Sequence, residues 1–158
     1  MVVSKHNQTR GFTLPEVMIV VVVIGILAAI VIPQVSSGMS ESRVKATALD
    51  LKGMGDAMVR YKIATGSWPT DTQPQQSNTQ IDSVLRNTAW GKPVPIGGVW
   101  DWEGPPSWNP VGISIRPNGS SFPTDADLLA VDAILDNGVL NTGVFTKPES
   151  ARAFLRVQ

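Results

Sequence analysis

"RGFTLPEVMIVVVVIGILAAIVIP", residues 10–33, holds one carboxylate, Glu16, at the head of an otherwise uncharged apolar run. From Val17 to Ile32, 16 consecutive residues are apolar or glycine, and Phe12, Thr13 and Leu14 lengthen the run to 21. As a helix, 21 residues rise about 31 Å, close to the roughly 30 Å hydrocarbon thickness of a bilayer. The run therefore predicts a membrane-spanning helix. Lys5, His6 and Arg10 precede it, and the first acid after it is Glu41. That asymmetry places the N-terminus in the cytoplasm and exports the remainder.

Three readings fit the segment. A secretory signal peptide has a basic start, an apolar middle and small residues at the cut, here Ser36, Ser37 or Gly38, but its apolar middle is usually shorter. A plain single-span anchor leaves Glu16 as a helix cap. Thr13 and Glu16 have capping-box spacing, and Pro15 is tolerated in a first helical turn. The third reading makes the acid functional. A carboxylate in an apolar phase costs about 2.5–3.5 kcal/mol on insertion scales, so it is expected to have a partner, and a newly exposed α-amino group is a suitable one.

Arg10-Gly11-Phe12-Thr13-Leu14-x-Glu16 followed by the apolar run resembles the prepilin signature of type IV pilins and type II secretion pseudopilins. The resemblance implies cleavage by a prepilin peptidase between Gly11 and Phe12 and N-methylation of the new Phe12 amine. It also implies that Glu16 pairs with the Phe12 amine of a neighbouring subunit as helices bundle into a filament, and that the helix bends at Pro33. Such a pair selects register, because a slipped subunit strands two charges in an apolar medium. "YKIATGSWPT", residues 61–70, extends the resemblance toward the major pseudopilins.

Beyond Pro33, which removes one helical N–H, the pattern becomes amphipathic. Val44, Ala48, Leu51, Met54, Met58 and Tyr61 recur at spacings of three and four, with Arg43, Lys45, Asp50, Lys52, Asp56, Arg60 and Lys62 mostly elsewhere. This is a helical packing face, expected to continue to about Ala64 and to stop at Gly66 ahead of Pro69. From Thr13 to Ala64 the helix would measure about 78 Å if continuous. Gly38, Gly53 and Gly55 work against its regularity.

Thr70 to Thr79 reads as a polar loop and Ile81 to Asn87 as a helical turn. Residues 94–103 and 111–117 read as two strands of an antiparallel hairpin, with Pro105-Pro106 in the connection and Pro117-Asn118-Gly119 as a turn. Extended backbone puts Trp100 and Trp102 on one face and Asp101 and Glu103 on the other. The tryptophans are either a sugar platform or the filling between sheet and helix, and packing is the expectation because aromatics bury so much area. The carboxylates are a candidate calcium pair. "PTDADLLAVDAILDNG", residues 123–138, predicts a second helix with Thr124 as N-cap, Leu128, Val131 and Leu135 on one stripe and Gly138 as the stop. Asp132 and Asp136 are expected to be solvated. "AFLRVQ" reads as a closing strand, with Phe154 and Val157 against the core.

Composition narrows the function. The chain has 158 residues, no cysteine and one histidine, His6. This removes disulfides, thiolate metal sites, a cysteine nucleophile and a Ser-His-Asp triad. Thirteen bases balance thirteen acids, and loss of residues 1–11 leaves 11 against 13, so nucleic acid is not an expected partner. No separated pair of titrating groups or phosphate-binding glycine loop is visible, so neither enzyme activity nor a cofactor or metal is expected.

The expected fold is α+β: a long N-terminal helical spine, membrane-spanning in its first half, packed against a small antiparallel sheet head with a second short helix. The expected organisation is a leader at 1–11, a transmembrane and assembly helix at 12–33, its amphipathic continuation at 34–66 and a globular head at 67–158. By resemblance the chain is a structural subunit of a pilin-like filament, a type II secretion pseudopilin ahead of a type IV surface pilin. Its implied partners are copies of itself, related pilins, prepilin peptidase, an assembly platform and membrane lipid in the bacterial inner membrane. Two rivals are a membrane-anchored glycan-binding module using Trp100 and Trp102, and a soluble domain released by ordinary signal peptidase.

Overall fold

The computed structural model describes residues 12–158, with residues 31–37 as helical backbone only. The chain divides into two compact units between Met39 and Ser40. Helix α1, Leu14–Thr65, supplies the N-terminal unit and the first element of the second. It begins one residue after Thr13 and ends where Gly66 takes φ +80°, its N–H bonded to the Lys62 carbonyl at 2.8 Å. Glycine adopts this left-handed stop without a Cβ penalty. Pro33, where a bend is expected, lies outside the fully described residues.

In the second unit the stripe read from spacing is the packing face. Val44, Ala48, Leu51, Met54 and Met58 are buried, joined by Ala57, while Tyr61 is half-buried. They form one hydrophobic cluster with Ile81 and Leu85 of α2 (Thr79–Leu85) and Leu128 and Val131 of α3 (Asp125–Leu135). The inner face of the sheet joins the same cluster through Trp100, Trp102, Ile113, Ile115, Phe145, Ala153 and Leu155. Each large apolar side chain so buried contributes roughly 1.5–3 kcal/mol. The head therefore has two short helices besides α1: α2 takes the place of the helical turn expected at 81–87, beginning two residues earlier, and α3 is the expected second helix. Helix α3 has a full capping box between Thr124 and Asp127.

The sheet is four-stranded and antiparallel in the order β1-β2-β4-β3: β1 Val99–Glu103, β2 Gly112–Arg116, β3 Phe145–Glu149 and β4 Arg152–Arg156. The predicted hairpin is β1 with β2, Trp100 opposite Ile115 and Trp102 opposite Ile113. β1 starts at Val99, later than expected, because Gly97 and Gly98 take φ +111° and +87° and turn the chain. A Cβ on Gly98 would lie 2.5 Å from the Arg116 carbonyl oxygen. β3 is a strand the sequence reading omits. It is an edge strand with a register shift between Thr146 and Glu149, and that irregular edge accommodates Pro148. The opposite edge, β1, is covered by residues 69–75: the Gln75 N–H donates to the Trp100 carbonyl at 3.2 Å and Trp102 Nε1–H to that of Pro69 at 3.1 Å.

Candidate functional site

In the N-terminal unit, Phe12 is 90% exposed. Leu14 and the apolar side chains from Val17 to Val23 are exposed too, as are Ile24, Ile26, Leu27 and Ile30. A helix apolar on all sides belongs in an apolar surround, whether lipid or other helices. Among the described residues no helix is long and apolar enough to cross a membrane. The described apolar part of α1, residues 14–30, rises about 25 Å, short of a hydrocarbon layer of about 30 Å. The expected span includes Val31 and Ile32, which lie outside the fully described residues.

Glu16 sits in the first turn of α1, on the exposed surface. One carboxylate oxygen accepts from the Thr13 N–H at 2.7 Å and from Thr13 Oγ1–H at 2.6 Å. This is the reach-back half of a capping box, with the threonine hydroxyl donating to the glutamate. Phe12 and Glu16 border one open hollow together with Val17, Ile19 and Val20. The structure thus brings together two of the expected site residues. Gly11 and the basic residues before it lie outside the described residues.

The head holds a different cluster. Asp101 and Glu103 project from the face of β1 opposite the tryptophans, and both are buried, which the sequence reading does not anticipate. Arg116 Nε donates to Asp101 Oδ2 at 3.2 Å, and its Nη2 lies 3.1 Å from Glu103 Oε1. Arg152 Nη1 lies 3.3 Å from Glu103 Oε2, and Ser114 Oγ–H donates to Glu103 Oε1 at 2.8 Å. The Arg152 guanidinium stacks over Trp108 at 4.3 Å. Glu103 is therefore saturated by two arginines and a hydroxyl, and the carboxylates do not form a calcium pair. Burial, then repulsion from Glu103, pushes the Asp101 pKa up to about 6 against the opposing pull of Arg116. The arginine partners were discoverable only from the β1–β2–β4 register, which local sequence does not encode.

The remaining candidates also become structural. Trp100 and Trp102 are 1% and 0% exposed, so they pack the core and offer no platform for a sugar. Asp132 is buried rather than solvated, its pKa raised first by burial and further by Asp136, and Asp136 accepts the Val144 N–H at 2.6 Å. No group of three or more metal-ligating side chains occurs among the described residues.

A family model described as the prokaryotic N-terminal methylation motif matches residues 6–32. The chain is 35% identical to the type II secretion system core protein G of Pseudomonas aeruginosa over 104 residues, 56% of this chain and 73% of that protein. To the protein of the same name from Escherichia coli K12 it is 32% identical over 78 residues, 49% and 54% of the two chains. It is 37% identical to the type IV major pilin protein PilE of Neisseria gonorrhoeae over 66 residues, 42% and 40%. The chain thus spans nearly three quarters of the Pseudomonas protein and about half or less of the other two. No solved structure gives a significant match.

Proposed function

This chain belongs to the pseudopilins of the type II secretion system, within the type IV pilin superfamily, and on that premise we propose that residues 12–33 are its assembly device. In this reading residues 1–11 are a leader that a prepilin peptidase removes between Gly11 and Phe12, methylating the Phe12 amine. The subunit waits in the bacterial inner membrane with its head, residues 67–158, exported. An inner-membrane platform then draws it, with copies of itself and related pilins, into a helical filament. The amphipathic stretch 34–66 carries the head, and Pro33 is the expected kink of the helix. The role is structural, with neither catalysis nor a cofactor.

One observation carries the proposal. Glu16 is the lone acid on an all-apolar helix start, met among the described residues by Thr13 of its own chain and bordering the same hollow as Phe12. Within packed helices or lipid that carboxylate costs about 2.5–3.5 kcal/mol unless a cation meets it. The amine freed at Phe12 is the cation the processing motif supplies.

The test is the intact mass and N-terminal peptide of the protein taken from its native membrane fraction. A chain starting at N-methylated Phe12 is expected. One starting at Met1 or Val2 would leave a plain anchor with Glu16 as a cap, and one starting near Gly38 would end the filament reading. In the same strain, Glu16→Ala is expected to insert normally and to cut filament yield by about tenfold or more, the equivalent of losing a pair worth about 1.4 kcal/mol or more. Normal yield would refute the pairing.

A further inference from the structure

A cleft of about 780 Å³ opens in the head beside α2, bounded by the turns that follow that helix and by β1. This is within the range of small-molecule sites, roughly 300–1,000 Å³. We propose that it binds a carboxylate-bearing saccharide. The inference does not depend on filament assembly, since every residue it uses lies in the second unit.

The wall chemistry selects that class of ligand. Trp90 is half-buried, and its Nε1–H donates to Ser77 Oγ at 3.2 Å, which tethers the indole as one wall. A tethered indole offers a large flat apolar surface at little entropic cost, suited to the C–H face of a sugar ring. Arg86, on the rim, is exposed and belongs to none of the ion pairs among the described residues. A guanidinium in that state can take a carboxylate through two parallel hydrogen bonds. Lys92, a second cation on the rim, is partly neutralised by Asp50 of α1.

Asp82 supplies the opposing constraint. Its carboxylate lines the same cleft and accepts hydroxyl donors, while repelling phosphates and other densely charged anions. The lining therefore combines a flat apolar surface, one free guanidinium, and a carboxylate that accepts hydroxyls and disfavours phosphate. A sugar acid matches each of these. A neutral sugar leaves Arg86 unused, and inorganic phosphate leaves the indole unused.

The experiment is calorimetric titration of the full-length protein in detergent micelles with trigalacturonate, maltotriose, N-acetylmuramic acid and inorganic phosphate. Trigalacturonate is expected to bind about tenfold more tightly than maltotriose, and Arg86→Gln to weaken it by about tenfold, as expected for one charge-assisted pair. Arg86 is exposed and outside the core, so this variant is expected to keep the fold, verified by an unchanged melting midpoint. Trp90→Ala is expected to weaken both sugars equally. Tighter binding of N-acetylmuramic acid would support the same chemistry and assign its source to the cell wall. Tighter binding of trigalacturonate would assign it to soluble acidic polysaccharide. No heat from either acid up to about 10 mM, a dissociation constant weaker than any useful affinity, would overturn the proposal. Equal affinity for maltotriose, full competition by phosphate or an unaffected Arg86→Gln variant would do the same.

Discussion

Asp101 and Glu103 stand two residues apart on one strand and behave oppositely. Glu103 is met on both oxygens by Arg116, Arg152 and Ser114, whereas Asp101 has one oxygen bonded to Arg116 and one without a partner. Removing the charge from Glu103 leaves Arg152 buried beside Trp108 with the exposed Glu149 as its remaining ion-pair partner among the described residues. Glu103→Gln is therefore expected to lower unfolding free energy by about 3 kcal/mol in urea titration. Asp101 is the pH-sensitive member. Its pKa rises from about 3.9 unfolded to about 6 folded, so the folded state binds the proton more tightly. Stability from this group is fully present below about pH 4, falls as pH rises to about 6 and then stays low. Asp101→Asn is expected to remove that falling limb, and the difference in melting midpoint between the two proteins across pH 4–7 measures it. A constant difference would mean that Asp101 ionises normally. Period-two alternation makes it legible that the two acids share a face. Their buried pairing is not, because the arginines that meet them, Arg116 and Arg152, come from β2 and β4, which no local pattern joins to β1.

At the scale of elements, legibility follows the range of the signals. The stop of α1 at Gly66 and the whole of α3 rest on spacing, caps and glycines within a few residues, and they stand where the sequence puts them. β3 depends on pairing with β4 across a register shift and contains a proline, so its own residues argue against it. The glycines divide along the same line. Gly53 lies within α1 with nothing near a built Cβ, so Gly53→Ala is expected to stabilise the head by up to about 1 kcal/mol, read as a rise of a few degrees in melting midpoint. Gly112 opens β2 where a Cβ would meet the Leu155 carbonyl oxygen at 2.2 Å and Phe154 Cζ at 2.4 Å. Gly112→Ala is expected to destabilise by about 1–3 kcal/mol, since backbone of the paired strand cannot yield as a side chain can. Composition treats these glycines as equivalent, and only the β2–β4 pairing separates them.

For the whole molecule, the division at Met39/Ser40 separates two kinds of stability. The second unit carries its own hydrophobic cluster, from Val44 to Val157. The first unit exposes its apolar side chains and gains its energy from whatever surrounds it. A change at Glu16 should therefore leave the head's melting midpoint within about 1 °C, because Glu16 belongs to the first unit and the head's core is built within the second, while strongly affecting assembly. The proposed pairing adds a directional consequence. Each subunit offers one carboxylate and one amine to different neighbours, so a Glu16→Ala subunit still donates its Phe12 amine to a wild-type Glu16. It leaves only the next amine unmet. Mixed expression of wild-type and Glu16→Ala chains is expected to restore filaments in proportion to the wild-type share, with the variant incorporated as isolated subunits, read by quantitative mass spectrometry of sheared filaments. If the acid served only as a cap for its own helix, incorporation would track the expression ratio at every mixture, and pure Glu16→Ala would assemble as well as wild type. The two outcomes diverge most where the variant is in excess, because an unmet charge in an apolar bundle costs about 2.5–3.5 kcal/mol each time it recurs.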